Sequence, residues 1–82
     1  MGVLFLDLNN FFSYPNPVSD YYTIESPNKL KLDVFDLMWR LILSQNLTSG
    51  KNIIDTSWFN RGIYLFKFNH NDISVDKLII KK

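Results

Sequence analysis

Turn-forming clusters constrain this chain more than any other feature. They fall at Tyr14-Pro15-Asn16-Pro17, Ser26-Pro27-Asn28, Thr48-Ser49-Gly50, Asn60-Arg61-Gly62 and Asn69-His70-Asn71-Asp72. Proline fixes φ, glycine tolerates positive φ, and Asn, Asp and Ser bond their own backbone, so each cluster interrupts regular structure. Between the clusters lie short runs rich in Val, Ile, Leu, Tyr and Phe. That punctuation predicts an all-β sandwich or barrel.

Alternation supports strands run by run. Tyr22 and Ile24 share one face, and Thr23 and Glu25 the other. Leu30, Leu32 and Val34 alternate strictly with Lys31 and Asp33. Trp39, Leu41 and Leu43 share a parity, although a helix from Leu37 to Leu47 competes because Leu37 and Leu41 also fit a 3.6-residue period. The strand is favoured, since no N-cap residue opens such a helix. Tyr64, Phe66 and Phe68 face one way and Ile63 and Leu65 the other, which predicts a central strand. In the last run Ile73 and Val75 have one parity and Leu78 and Ile80 the other, so a bulge is expected near Asp76-Lys77. Lys77, Lys81 and Lys82 suit an edge strand, where lysine discourages sheet-to-sheet pairing. No internal repeat or low-complexity tract interrupts the chain. Residues 1–11 read as an upstream linker or a first strand, and residues 12–82 as the domain.

Composition removes whole classes of function. Eighty-two residues support one domain. A formal charge of +1 leaves no electrostatic footprint for nucleic acid or an anionic membrane. The absence of cysteine excludes disulfides, thiol catalysis and thiolate metal sites. The single histidine, His70, stands in a turn composition and reads as a solvated turn residue. Asp33, Asp36, Asp72 and Asp76 flank strand ends and read as turn caps or a solvated face, not as converging catalytic carboxylates. No calcium loop or phosphate loop is present. Neither an enzyme nor a cofactor is expected. The run from Val3 to Leu6 has no basic region before it and stops at Asp7, unlike a signal peptide. No run approaches the ~20 apolar residues of a membrane-spanning helix. The chain as given is therefore expected to be cytoplasmic, or a piece of a parent that carries its export signal elsewhere. Trp58-Phe59 reads either as packing over a sandwich end or as an exposed platform.

Four segments in order carry a resemblance. They are Phe12-Ser13-Tyr14-Pro15-Asn16-Pro17-Val18-Ser19-Asp20, Leu32-Asp33-Val34-Phe35-Asp36-Leu37-Met38-Trp39-Arg40, Gly62-Ile63-Tyr64-Leu65-Phe66-Lys67-Phe68, and Lys77-Leu78-Ile79-Ile80-Lys81-Lys82. Together they resemble the type A C-terminal sorting domain of the type IX (Por) secretion system of Bacteroidetes, over residues 12–82. The resemblance implies an Ig-like antiparallel β-sandwich of about seven strands. It implies a non-enzymatic address label fused behind an N-terminal cargo. The partners so implied are the outer-membrane translocon and the shuttle and sortase components of that system. The route so implied passes through the periplasm to the cell surface or the medium. A surface sortase usually removes the domain and often joins the cargo to lipopolysaccharide.

The sequence departs from the family pattern in two places. Trp39 stands where glycine usually precedes the arginine; tryptophan disfavours positive φ, so a looser hairpin is expected there, open to strand exchange into a homodimer. Phe59-Asn60-Arg61-Gly62 stands where a Leu-Pro-Lys-Gly-like run is common.

The candidate recognition residues follow from the same segments. Pro15 and Pro17 stiffen Tyr14 to Val18 into an extended surface shape, with Tyr14, Pro15, Asn16 and Pro17 available to a receptor. Gly62 permits positive φ before the central strand, and Tyr64 anchors the core. Lys77, Lys81 and Lys82 form a basic edge for an acidic receptor surface, reached by strand addition, unless they serve solubility alone. The competing function is a carbohydrate- or protein-binding β-sandwich module of a surface enzyme, supported by Trp58-Phe59.

Overall fold

The computed structural model describes residues 12–82, which form seven strands and no helix. They are β1 (Phe12–Tyr14), β2 (Tyr21–Ser26), β3 (Leu30–Asp36), β4 (Leu41–Leu47), β5 (Gly50–Asp55), β6 (Gly62–His70) and β7 (Ile73–Lys81). The first-strand or linker reading of residues 1–11 lies outside the described residues. Two antiparallel sheets result, in the orders β1-β2-β5 and β4-β3-β6-β7. Their inner faces enclose Tyr22, Ile24, Leu32, Val34, Ile54, Phe66, Phe68 and Ile79, each almost wholly buried. Burying a side chain of this kind contributes roughly 1.5–3 kcal/mol, and the two sheets supply one continuous core. The Tyr22 and Phe66 rings meet edge to face, with centroids 5.1 Å apart. Of the all-β sandwich or barrel that punctuation and alternation predict, the sandwich, which the resemblance also implies, is the fold observed.

Three local expectations are corrected. β4 begins at Leu41, and its pairing with β3 slips, so that Val34 faces Leu43 while Phe35 faces Leu41. Ile42 is the extra residue. Ile42 and Leu43 both lean on the core, and Leu41 points out to solvent. Trp39, Leu41 and Leu43 therefore do not share a face, because Trp39 is in the turn and the bulge lies after Leu41. In β7 the reverse holds. Pairing with β6 runs unbroken from Gly62–Lys81 to His70–Ile73, with no bulge at Asp76-Lys77. The parity change arises because Lys77 and Lys81 face inward at the sandwich rim, alternating with Leu78 and Ile80 outside.

The third correction concerns Trp39. The hairpin between β3 and β4 is tight, and Trp39 itself takes the conformation expected of a glycine, with φ +62°. Asp36 holds it there. Its carboxylate accepts the backbone N–H groups of Met38 and Arg40 at 2.8 and 3.0 Å. Its backbone carbonyl accepts the Trp39 N–H at 3.1 Å. The opposite hairpin, between β6 and β7, places Asn71 at φ +54°. His70, at that end, donates Nδ1–H to the Lys29 carbonyl at 3.0 Å, since a carbonyl oxygen can only accept. The histidine thus ties two turns together.

Candidate functional site

Three of the four sequence motifs meet at the last strand: the opening segment, the start of β6 and β7 itself. After β1 the chain bends at Asn16-Pro17, so Tyr14 to Val18 is not the extended rod expected. Two prolines remove the N–H groups that a continuous ladder needs. The side chain of Asn16 supplies what the backbone cannot. Its Nδ2 donates to the Leu78 carbonyl at 3.0 Å, and its Oδ1 accepts the Ile80 N–H at 3.0 Å. An amide side chain presents a donor and an acceptor side by side, as a peptide group does. The backbone resumes at Val18, which donates to the Ile80 carbonyl at 2.7 Å and accepts the Lys82 N–H at 2.9 Å. Val18 pairs with Lys81 in the parallel sense and is buried.

Strand addition along this part of β7 is therefore already satisfied from within. The Leu78–Lys82 edge is covered by residues 16–18, so an incoming strand could not use it without displacing them.

The lysines divide by register. Lys77 reaches inward, and its Nζ donates to the Ser13 hydroxyl at 2.8 Å. The same hydroxyl oxygen accepts from the Tyr22 phenol at 2.7 Å. Burial pushes the Tyr22 phenol above its ordinary pKa, against the smaller opposing effect of Ser13. Lys81 is 8% exposed, and its Nζ donates to the Ser19 carbonyl at 2.6 Å. That carbonyl also accepts from the buried Thr56 hydroxyl at 3.0 Å. Asp55 lies close enough to feel Lys81, though its carboxyl is held below the usual range first by the Ser57 hydroxyl and N–H. Of the three, Lys82 alone is exposed. Inward-pointing charge at a sheet rim is itself a device against edge pairing.

Gly62 and Tyr64 sit on the other side of the same strand, opposite Lys81 and Ile79. Gly62 has φ +149°, and no atom lies within 4 Å of where a Cβ would be. The backbone, not crowding, calls for glycine there. Tyr64 donates its hydroxyl to the Asn60 carbonyl at 2.7 Å and packs at a tilt against Phe59, with ring centroids 4.9 Å apart. Tyr14 turns outward and donates to the Glu25 carboxylate, and that bond raises its phenol pKa. Pro15 and Pro17 are exposed. The surface around β7 thus brings together Asn16, Gly62, Lys77, Lys81 and Lys82, with Tyr64 beneath it, while Tyr14 turns away to Glu25 on β2 and Pro15 and Pro17 stand exposed on either side of Asn16. Ser13, Val18, Ser19 and Thr56 complete it. Sequence reasoning does not single out these four, although the first three stand inside the quoted opening motif.

The arrangement is one of shape and hydrogen bonds. Among the described residues no three His, Asp or Glu side chains come close enough to hold a metal ion. Trp58 stays half-exposed and sets its ring edge against Phe59 at 4.7 Å, while Phe59 is buried. Comparison with known proteins gives one family: residues 13–82 match the secretion system C-terminal sorting domain. No curated protein matches the chain. With that match over most of its length, the chain belongs to the C-terminal sorting domains of type IX secretion.

Proposed function

We propose that the domain addresses a fused N-terminal cargo to the outer-membrane translocon, and that the translocon reads the composite surface formed by Tyr14–Val18 and β7. The supporting observation is the double hydrogen bond of Asn16 to the Leu78 carbonyl and Ile80 N–H. It makes the two ends of the domain one surface, so a receptor touching both would engage only a completely folded tag. Pre-formed surfaces are also bound at little ordering cost. On this reading the exposed Pro15, Pro17 and Lys82 are contact residues. Lys77 and Lys81 act by holding the surface together, not by meeting an acidic receptor directly. Export through the periplasm is followed by removal of the domain by a surface sortase, and the domain itself has no catalytic role.

The test fuses residues 12–82 to a periplasmic reporter in a host competent for type IX secretion. The reporter is expected at the cell surface or in the medium, released from its tag. A reporter that stays periplasmic, with the tag folded and intact, refutes the reading.

A further inference from the structure

The outer face of the four-stranded sheet is split into two halves. Leu41, Phe35, Leu65 and Leu78 lie in one row across β4, β3, β6 and β7. Ile63 pairs with Ile80 just beyond it. The neighbouring row is polar and self-satisfied: Ser44 donates to Asp33 at 2.7 Å, and Lys67 approaches Asp76 at 3.5 Å. Among the described residues the apolar half has no such cover. Beyond it the β3–β4 turn projects Leu37, Met38 and Trp39 into solvent, at 63%, 75% and 71% exposure. Three consecutive large apolar side chains on a turn are not the scattered exposure normal for a soluble surface. The turn is also rigid, because Asp36 closes it from both backbone and side chain.

Charge decides what such a tip meets. Arg40 and Arg61 line the recess behind it, together with Leu37 and Met38. Of the Arg40 guanidinium only Nε bonds Asp36, and among the described residues its two terminal amino groups meet no partner. Arg61 has no ion-pair partner among the described residues. Asp36 is the one acid lining the recess among the described residues, and its carboxylate is already occupied. A second copy set against this end would bring like charges together, an arrangement that costs affinity. A bilayer interface instead accepts a convex tip without a matching hollow, seats tryptophan at the headgroup level and places arginine at phosphates. The whole-chain charge of +1 gives no sign of this, because only the fold gathers these two arginines beside the apolar tip.

We infer that this end of the domain docks on an anionic phospholipid surface, the Leu37–Trp39 tip entering the headgroup region while Arg40 and Arg61 pair with its phosphates. The inference needs no secretion machinery, so its failure leaves the sorting function standing.

The test uses the full chain carrying Trp58→Phe, which leaves Trp39 as the sole tryptophan. Vesicles of mixed phosphatidylcholine and phosphatidylglycerol are compared with phosphatidylcholine alone. A blue shift of Trp39 emission and co-sedimentation are expected with the mixed vesicles, weakening as salt rises. Arg61→Gln should weaken binding about fivefold, the attraction of one basic residue near such a surface. A Leu37→Ser, Met38→Ser double variant should abolish the shift, while circular dichroism shows the fold retained. Equal binding to both vesicle types, or none to either, overturns the inference. So does Trp39 emission already blue-shifted without lipid, which would mean that residues 1–11 or a second copy covers the tip; light scattering separates those two.

Discussion

Asp36 holds Arg40 with both carboxylate oxygens: Oδ1 accepts the Arg40 backbone N–H at 3.0 Å, and Oδ2 accepts its Nε at 2.7 Å. The turn between them is thereby fixed, and Trp39 is forced to φ +62°. A non-glycine residue in this region costs on the order of 1 kcal/mol or more, most for β-branched side chains. Trp39 recovers part of that by tilting against Phe35 at a centroid distance of 6.0 Å. Trp39→Gly should therefore be as stable as the parent to within about 1 kcal/mol, the relieved strain offsetting the lost ring contact and the chain entropy of glycine. Trp39→Val should be less stable than Trp39→Gly by about 1 kcal/mol or more. Urea denaturation ranks the three chains; a valine variant equal to glycine would mean that the backbone there is not left-handed in solution.

The same carboxylate gives a pH dependence. The backbone N–H of Arg40 holds Asp36 below its ordinary pKa of 3.8, assisted by the Arg40 guanidinium and the Met38 N–H. Because the folded-state value is depressed, the unfolded chain binds a proton first as pH falls. The stabilisation is complete above the ordinary carboxylate range and disappears as pH drops through and below about 4. Asp55, lowered chiefly by Ser57, acts in the same direction. Melting followed by circular dichroism should show the midpoint falling below pH ~4. Asp36→Asn should melt lower than the parent near neutrality and converge with it in acid. Parallel curves across that range would remove Asp36 from the account.

Asn16 is replaceable by neither a smaller nor an isosteric side chain. Asn16→Ala deletes the donor to Leu78 and the acceptor for Ile80. Two net hydrogen bonds at an exposed edge amount to about 1–2 kcal/mol. Asn16→Asp keeps an acceptor for the Ile80 N–H but sets a carboxylate oxygen against the Leu78 carbonyl, so it should not rescue. Amide hydrogen exchange provides the local readout. In both variants the Ile80 N–H should exchange faster than global unfolding alone allows, while Phe66 and Phe68 in β6 follow the global rate. An Ile80 amide as protected as in the parent would show that the backbone of residues 16–18 closes the edge without Asn16.

The sandwich was legible because most strands obey a single rule. Tyr22/Ile24, Leu30/Leu32/Val34 and Tyr64/Phe66/Phe68 alternate, and alternation reports directly on which face is buried. It failed where polarity and direction part company. Lys77 and Lys81 sit on the inward parity of β7, and a reading that sends lysine to solvent must invent a bulge there. The true bulge, at Ile42, is silent in sequence because Leu41, Ile42 and Leu43 are all apolar and none marks the slip. Trp39 hides a glycine's conformation because the cause is Asp36, three residues earlier, bonding across the turn. The Asn16 pairing was equally hidden: Tyr-Pro-Asn-Pro announces a turn, but its partners, Leu78 and Ile80, lie sixty-two and sixty-four residues away.

The terminal lysines should separate on substitution, although sequence reads them as one basic edge. Lys81 is almost wholly buried, and its ammonium is spent on the Ser19 carbonyl. A hydrogen bond from a charged group contributes about 1.5–3 kcal/mol, and Lys81→Ala also removes the aliphatic stem that packs at the rim. Lys82 is exposed and contributes only its backbone N–H, to Val18. Lys82→Ala should therefore change stability by no more than ~0.5 kcal/mol. Lys77 falls between them, half-buried with its Nζ on Ser13. Lys77→Met preserves the stem while removing the charge that guards the rim, so its folding stability should hold to within about 1 kcal/mol while self-association rises. Denaturant midpoints for the three variants, with light scattering across concentration for Lys77→Met, check the order. Equal losses at Lys81 and Lys82 would mean that Lys81 is solvated rather than turned inward, and the composite surface on β7 would lose one of its ties to Ser19.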